Sequence, residues 1–345
     1  MRAVLVGYNW GARMHVRVLR QTGWDIHAIV GRDRERTELA ASELNVARTS
    51  TCISNLDQSN IDLIVLAVPW RVHANLLADA LKTNAIILTE HPLSPQICEA
   101  RQIVEAAAGR SKPVLVNFAT RFLPVVTELR QAIANLPPST GTYVDHRLTF
   151  PLDEEMDWLP ILTSHCLDTA RHLLGKLTLR KANLDQVIRR PVRDCPSWSW
   201  PMIQKGVEET SIVAASGTWK ASFAGGSYNF EIRQADVSEF TEQMELRCGD
   251  YGFAYELRLA RSDESSPWRA SALWRGPSWA QPVFSYPKSN GAESDSWLVA
   301  HEQQAHALTV AFNYCQPFQL ASASDAFEIQ SMVDYAVNSS LLGGR

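Results

Sequence analysis

Short, mainly apolar runs alternate with amphipathic stretches along the first third of the chain. The apolar runs, each a predicted strand, cover residues 3–6, 25–30, 61–68, 85–88 and 113–118. The stretches between them have helical spacing and cover residues 13–19, 34–44, 72–81 and 95–108. Because the runs show no regular polar alternation, their strands should be buried on both faces, as in a parallel sheet covered by helices. The pattern predicts a doubly wound α/β domain.

The pattern changes in the second half, where apolar and polar residues alternate within short segments. These segments cover residues 142–150, 210–215, 218–223, 228–234, 241–247 and 251–259. We interpret the glycines among them as turn residues: Gly217, Gly225, Gly226, Gly249 and Gly252. Such alternation is typical of an antiparallel sheet with one face against a core. The second half is therefore predicted to be an α+β domain with a largely antiparallel open sheet.

Length and composition fit two such domains. The chain has 345 residues, of which 46% are hydrophobic and 20% are charged, as in ordinary globular proteins. We predict one domain at residues 1–120 and a second at residues 121–345. A last helix at about residues 324–341 is expected to pack back on the first domain.

Charge and cysteine content argue against several classes of function. A net charge of −4 favours neither a nucleic acid nor an anionic membrane as partner. No segment approaches the ~20 apolar residues of a membrane span, and the first residues predict a strand rather than a signal peptide. Six cysteines are scattered without Cys-x-x-Cys pairs, which indicates thiols in a reducing cytosol. We expect a cytoplasmic protein without a bound metal.

A glycine-containing turn, Gly7-Tyr8-Asn9-Trp10-Gly11, follows the first predicted strand. The start of the next helix offers N–H groups and the positive end of the helix dipole to a phosphate. The turn departs from Gly-x-Gly-x-x-Gly at Asn9, a residue that tolerates positive φ better than most. Its place within repeated β-α units predicts a Rossmann domain that binds a dinucleotide through Gly7, Asn9, Trp10 and Gly11.

The end of the second predicted strand favours NADP(H) over NAD(H). NAD enzymes place a carboxylate there for the ribose hydroxyls, but this chain has Gly31 followed by Arg32 and Arg34. Guanidinium groups pair well with a 2′-phosphate. The alternative is that both arginines are solvated charges at the start of a helix.

Several short motifs, in order along the chain, resemble those of the Gfo/Idh/MocA oxidoreductases. They are a small-x-Pro-x-x-x-His segment at residues 67–73, Glu90-His91-Pro92 in place of Glu-Lys-Pro, the crossover at residues 117–124, the helix carrying His165, and a last helix at residues 324–340. The resemblance implies a Rossmann domain followed by an α+β domain. It further implies that these residues lie beside the cofactor: Ala67, Pro69, His73, Glu90 and Pro92.

Two positions depart from the family pattern. His91 stands where the family has a Lys, and Ile161 where it has an Asp four residues before its catalytic His, so His165 alone of the three is kept. Glu-His-Pro-Leu, with a Gly-x-x-x-Gly first turn, is similar to the thiazolinyl imine reductases of siderophore assembly. That similarity implies NADPH-dependent reduction of a thiazoline to a thiazolidine on the carrier protein of a nonribosomal peptide synthetase.

The exchange of Lys for His changes the chemistry available at residue 91. It lowers the reference pKa of the proton donor from about 10.4 to about 6.5. A donor with a pKa near 7 can protonate an imine nitrogen while hydride reaches the carbon, and it can be recharged from water. We predict His91 as the general acid. The alternative is a residue that only packs on the cofactor.

The second domain contributes further candidates. His165 is predicted as a second acid or a substrate clamp, with a core histidine bonded to a backbone carbonyl as the alternative. Thr120, Arg121 and Asp168 are predicted to bind substrate, Arg121 through a carboxylate or phosphate; the alternative for Arg121 is an ion pair between domains. A Pro- and Trp-rich loop at residues 191–201 either lines an aromatic pocket or packs as an ordinary loop.

Three functions stay open from the sequence. The leading hypothesis is an NADPH-dependent reductase of a carrier-bound cyclic imine. The enzymatic alternative is a sugar or cyclitol dehydrogenase with an unusual proton donor. The third is a catalytically silent NADP-binding sensor or scaffold. A homodimer through the antiparallel sheet is expected for the protein.

Overall fold

The chain forms two compact units, each with its own sheet. The computed structural model describes residues 1–57, 60–69, 72–135, 141–151, 158–185, 188–191, 210–213, 216–237, 239–260, 269–275, 284–285 and 296–343. The first unit contains the described residues of Met1–Phe118 and His301–Gln330. The second contains those of Ala119–Val192, Glu208–Ala300 and Ser331–Arg345. The linear division near residue 120 stays a prediction.

The first unit is built on a seven-stranded sheet. Its strands are β1 (Arg2–Val6), β2 (Asp25–Val30), β3 (Thr49–Ser50), β4 (Leu63–Leu66), β5 (Ile86–Thr89), β6 (Val114–Val116) and β17 (Ala321–Ser322). They lie in the order β17-β6-β5-β4-β1-β2-β3, with β17 antiparallel to β6 and the other pairs parallel. The strands β1, β4, β5 and β6 are almost wholly buried, as expected for strands covered on both faces.

Helices connect these strands, and parts of two helices near the end of the chain also belong to this unit. The connecting helices are α1 (Trp10–Gln21), α2 (Arg34–Glu43), α3 (His73–Ala80) and α4 (Ile97–Ala108). Of α7 (Ser296–Tyr314) and α8 (Ala323–Gly343), the parts from His301 to Gln330 belong to this unit. Trp24 donates a hydrogen bond from Nε1 to Thr309 Oγ1 at 2.8 Å, and the Gln330 amide donates to the Ser94 carbonyl at 2.6 Å.

The second unit is built on an eight-stranded sheet. Its strands are β7 (Thr142–Pro151), β8 (Thr178–Asp185), β11 (Ser216–Phe223), β12 (Gly226–Ala235), β13 (Glu239–Cys248), β14 (Tyr251–Ala260), β15 (Arg269–Arg275) and β16 (Phe284–Ser285). Their order is β16-β15-β14-β13-β7-β12-β11-β8, and among these described strands β7 and β12 form the one parallel pair. A separate ribbon pairs β9 (Ile188–Pro191) with β10 (Thr210–Val213), and the helices are α5 (Pro124–Ala134) and α6 (Trp158–Leu174).

These two architectures confirm the predicted fold class, a parallel Rossmann sheet followed by a mostly antiparallel sheet. Strands β8, β9, β15 and β16 were absent from the prediction, as were the two-residue strands β3 and β17. Two glycines interpreted as turn residues, Gly217 and Gly252, lie inside strands instead. A Cβ on Gly217 would lie 2.6 Å from the ring of Trp219, so this glycine provides room for an indole rather than for a turn. Among the described helices, none combines the length and apolar character that crossing a membrane requires.

Candidate functional site

The turn after β1 packs tightly against the end of β4. Gly7 has φ +113, and a Cβ there would overlap the carbonyl oxygen of Ala67, so only glycine fits. Its N–H donates to the Val30 carbonyl at 2.8 Å. A Cβ on Gly11 would instead meet Ala67 at 3.6 Å, an ordinary contact. The first turn of α1 contains no acidic residue, and a helix start of this kind suits an anionic pyrophosphate.

The end of β2 has no room for a carboxylate. A Cβ on Gly31 would lie 2.5 Å from the ring of Tyr8 and would overlap the Thr37 hydroxyl. Both Arg32 and Arg34 are exposed. A cavity of about 260 Å³ opens beside α2 and β3, and its lining residues are Arg34, Thr37, Glu38, Thr49, Ser50 and Thr51. This lining includes Arg34 but not Arg32, so the two predicted phosphate ligands are placed differently.

His73 ties together two of the predicted cofactor loops. Its ring is fully buried, with Nε2 2.6 Å from the Val68 carbonyl oxygen and Nδ1 3.0 Å from that of Pro92. Burial lowers the pKa of His73, although both backbone hydrogen bonds and the charge of Glu90 oppose the shift. His73 therefore holds together the loops that follow β4 and β5, where Ala67, Pro69 and Pro92 lie. Its contact with a cofactor stays a prediction.

His91 lies directly beyond the carboxyl end of β5, the edge at which open α/β sheets bind ligands. Its ring is 7% exposed and stacks on Phe118, with 4.3 Å between ring centroids. Its Nδ1 is 3.3 Å from the backbone oxygen of Asn117. Since a carbonyl oxygen only accepts, Nδ1 carries a hydrogen and Nε2 is the nitrogen that gains or loses a proton.

Glu90 lies at the centre of a cluster that the sequence prediction did not contain. Its Oε1 accepts a hydrogen bond from Asn117 Nδ2 at 2.7 Å and lies 3.3 Å from His15 Nε2. Asn117 Nδ2 is also 3.5 Å from Nε2 of His301. Burial alone would raise the pKa of Glu90, but the hydrogen bond and charge of His15, the charge of His91 and the Asn117 amide lower it to about 2. Glu90 is therefore an anion at any working pH.

In the second unit, two predicted substrate ligands are paired with each other. Arg121 donates from Nε to Asp168 Oδ2 at 2.7 Å and from Nη2 to Oδ1 at 2.5 Å. Arg121 is 8% exposed and Asp168 is fully buried. This geometry is that of the ion-pair alternative for Arg121. The roles of both residues in substrate binding stay predictions. The pair lies within this unit, whereas the alternative placed it between domains.

The remaining predicted residues of this unit lie on α6 and on the short 3₁₀ helix Ala119–Phe122. His165 is half-buried, and its ring meets that of Trp297 edge-on with 5.4 Å between centroids. Thr120 is buried. Residues 192–201 of the Pro- and Trp-rich loop lie outside the described residues, as does the side chain of Trp10.

A second polar cluster in this unit contains side chains from β7, β13 and α6. Ligand-type atoms of His146, Cys166 and Glu242 lie within 4.8 Å of one another, and all three residues are buried. Two of them are hydrogen-bonded to each other: His146 Nε2 lies 3.0 Å from Glu242 Oε1, and His146 Nδ1 lies 3.0 Å from Tyr228 Oη. Burial, and then the charge of Glu242, raise the pKa of the Cys166 thiol, so its sulfur stays protonated. His146, Glu242 and Tyr228 thus form a buried hydrogen-bond network.

The strand order and the glycine turn define the fold as a Rossmann domain followed by a second domain with a mostly antiparallel sheet. Residues 1–118 match the Gfo/Idh/MocA model, described as an oxidoreductase family with an NAD-binding Rossmann fold. Over these residues, about a third of the chain, the sequence is similar to that family.

Three known proteins are similar to longer parts of the chain. Inositol 2-dehydrogenase 4 of Saccharopolyspora erythraea is 34% identical over 181 residues, which cover 50% of this chain and 52% of that protein. The match thus spans about half the length of this relative. An oxidoreductase domain protein from Kribbella flavida covers 98% of this chain and 96% of its own with a TM-score of 0.73 at 18% identity. Levoglucosan dehydrogenase, in complex with NADH and levoglucosan, covers 99% and 97% with a TM-score of 0.71 at 16% identity. At these identities the two structures share the fold alone.

Proposed function

We propose that the protein is an NAD(P)-dependent dehydrogenase of a cyclic polyol or sugar, with His91 exchanging the proton with the substrate. The observation that carries the proposal is the geometry of His91 beyond β5, with Nδ1 bonded to a backbone carbonyl and Nε2 as its titrating nitrogen. The inositol 2-dehydrogenase relative supports the substrate class. The sequence has His91 at the family's Lys position and Ile161 at its Asp position. In this proposal His91 therefore exchanges the proton without a Lys or an Asp beside it.

The chemistry requires one hydride and one proton. A nicotinamide cofactor supplies the hydride acceptor for oxidation and the hydride donor for reduction when it is bound. Neutral His91 takes the hydroxyl proton through Nε2 while the carbon that bears this hydroxyl loses its hydride, so that C–OH becomes C=O. The proton then passes from His91 to water. In the reverse direction, protonated His91 gives this proton to the carbonyl oxygen. Positioned acids and bases of this kind typically contribute about 10²- to 10⁴-fold in rate.

We also propose that the preferred cofactor is NADP(H). Its support is the lack of space for an acidic side chain at Gly31 and the cavity beside Arg34, where hydroxyls and a guanidinium outnumber one carboxylate. Both group types suit a 2′-phosphate. Arg34→Glu should weaken NADP⁺ binding at least tenfold more than NAD⁺ binding, measured by fluorescence titration. Arg36→Glu, an exposed arginine on the same helix, is the matched control; equal weakening of both cofactors by Arg34→Glu counts against the proposal.

A second candidate function is reduction of a cyclic imine, as in the thiazolinyl imine reductases. The observation that favours it is the imidazole at residue 91, since a protonated imidazole can give its proton to an imine nitrogen as the carbon gains hydride. The product is an amine, and no additional reductant is needed. This candidate carries with it a carrier-protein-bound substrate and a nonribosomal peptide synthetase as partner.

Parallel assays separate these candidates. Polyols and sugars with NADP⁺ or NAD⁺ test the first, and a thiazoline thioester with NADPH tests the second. His91→Ala should lower turnover on the true substrate at least tenfold while cofactor binding is retained. His306→Ala, an exposed histidine on α7, should leave turnover unchanged. Tight cofactor binding without turnover on either panel would instead support a silent sensor or scaffold.

A homodimer through the outer face of the eight-stranded sheet is a further proposal. Tyr143 is 42% exposed on strand β7 of that sheet, where it alternates with the buried Val144 and His146. The test is light scattering of the intact protein against a Tyr143→Asp variant. A mass of one chain for the unmodified protein would refute the dimer.

A further inference from the structure

Residues far apart in the sequence meet around His91 in the first unit. His15 comes from α1, Glu90 follows β5, Asn117 follows β6, and His301 lies in α7. Asn117 links them: its amide contacts Glu90 and His301, and its backbone oxygen contacts His91. The rings of His15 and His301 also meet edge-on, with 5.8 Å between centroids. We call these residues, with His91, the Glu90 cluster.

Each hydrogen bond in the Glu90 cluster has a defined direction. A carboxylate oxygen only accepts, so Asn117 Nδ2 donates to Glu90, and His15 Nε2 is a donor as well. This fixes the orientation of the Asn117 amide. His301 Nε2 is then the acceptor from Asn117 Nδ2. The backbone oxygen of Asn117 in turn fixes Nδ1 of His91 as a donor. The network therefore leaves Nε2 of His91 as its site of proton exchange.

Charge in the cluster is concentrated on Glu90. Its side chain is 26% exposed, whereas His15 is 3% exposed. Titratable side chains from three neighbouring helices surround Glu90 and His91: His15 from α1, His73 from α3 and His301 from α7. The residues contributed by the end of β6, Asn117 and Phe118, do not titrate. Coulombic attraction is mutual, so a fixed anion beside His91 favours the protonated form of its imidazole.

We propose that Glu90, held by Asn117 and His15, is a positioning carboxylate that favours the protonated form of His91, the form that delivers a proton from Nε2 when substrate is reduced. The inference rests on the proposed function, in which His91 exchanges the proton with substrate. It assigns to Glu90 a role other than the predicted cofactor contact, and it brings His15 and Asn117 into the site. Glu90 itself transfers no proton in this scheme, since it stays ionised throughout.

The test is a histidine NMR titration of the full chain, with and without NADPH, in which His91→Gln identifies the His91 signal. Glu90→Gln should lower the titration midpoint of His91 by about one pH unit, as expected when a neighbouring opposite charge is removed. Asn117→Ala should lower it by less, because the carboxylate stays but is less firmly held. Asp79→Asn, which removes an exposed carboxylate of the same unit, should leave the midpoint unchanged.

Rate measurements separate this role from a merely structural one. In the reductive direction, where protonated His91 is the active form, the pH at which turnover of Glu90→Gln falls to half on its alkaline side should move down by about one unit, with turnover at low pH retained. A loss at every pH with an unmoved midpoint would overturn the inference and indicate structural damage. If Glu90→Gln does not fold, Asn117→Ala provides the same test with the same direction of shift.

The two proposals fail in different ways. The NMR midpoint needs no substrate, so a shifted midpoint without turnover on polyols or imines supports the role of Glu90 and overturns the proposed function. Turnover that depends on His91, with a midpoint that Glu90→Gln leaves in place, overturns this inference alone.

Discussion

Each unit contains a glutamate bonded to a histidine, and the two pairs differ in exposure. Glu242 is 5% exposed beneath the second unit's sheet, where its Oε1 accepts from Tyr255 Oη at 2.5 Å and contacts His146 at 3.0 Å. Glu90 is 26% exposed and contacts His15 at 3.3 Å. Both carboxylates have protein donors, so hydrogen bonding alone does not distinguish them. The exposure of the two glutamate side chains to water does distinguish them.

This difference separates a structural network from one suited to proton exchange. Around Glu242, burial and then the charge of the glutamate raise the pKa of Tyr255, so its hydroxyl stays a hydrogen-bond donor. A buried network whose members are all bonded to protein stabilises one arrangement of a core. A partly exposed carboxylate beside an imidazole can instead favour the protonated form of that imidazole.

Loss of Glu242 should have the largest effect on stability. Glu242→Ala leaves a buried imidazole and a buried hydroxyl without their acceptor, and breaking a buried pair typically costs about 3–5 kcal/mol. Urea unfolding monitored by circular dichroism gives the change in unfolding free energy. Glu245→Ala, on the same strand but with a 43% exposed side chain, is the control. A loss as small as that of the control would show that the Glu242 network is not structural.

Loss of one donor in that network should have a smaller effect. Tyr255→Phe removes the hydroxyl that bonds Glu242 while keeping the ring in place. Hydrogen bonds to charged groups contribute about 1.5–3 kcal/mol, and we expect a loss in this range in the same urea experiment. Tyr251→Phe, on the same strand and 48% exposed, should change nothing measurable. Equal behaviour of the two variants would contradict the assignment.

The stability contribution of Glu90 should depend on pH in a defined window. Its pKa falls from an ordinary 4.5 to about 2 in the folded protein. A lowered carboxyl pKa stabilises the fold above the ordinary value, and this contribution is lost as pH falls toward the folded value. Unfolding free energies of the unmodified protein and Glu90→Gln should therefore converge between pH 5 and 2. A difference that stays constant across this window would show that the charge of Glu90 is not the cause.

The first unit was more predictable from sequence than the second because of its patterning. Apolar runs without alternation leave few alternatives to buried parallel strands, and β1, β2, β4, β5 and β6 all lie within or next to the predicted runs. Strand β8 has exposed residues at most of its positions, a pattern that resembles a loop. Gly217 was misassigned because the sequence does not distinguish a glycine that makes room for a ring from one that turns the chain.

The candidate site was predictable where a motif marked it and not where the fold assembled it. His91 and Glu90 stood out because they end a strand and depart from a family pattern. His301 lies 184 residues from Asn117 along the chain, in a helix without any motif. Arg121 and Asp168, 47 residues apart, both looked available for substrate until the fold brought them together. Pairing between distant residues is a property of tertiary structure, which single-sequence patterns do not encode.

An exposed pair provides the lower end of the comparison. Lys82 Nζ lies 2.8 Å from Asp79 Oδ1, with both side chains well exposed, and the hydrogen bond and charge of Asp79 raise the pKa of Lys82. Solvent screening and the loss of side-chain entropy oppose such pairs. The Lys82–Asp79 pair should therefore contribute little to the unfolding free energy, although its distance is as short as that between His146 and Glu242. Asp79→Asn should leave the melting temperature unchanged within error at both low and high salt. A melting temperature that is clearly lower at low salt but not at high salt would show that the exposed pair stabilises the protein. Side-chain exposure would then not determine how much an ion pair contributes to stability in this protein.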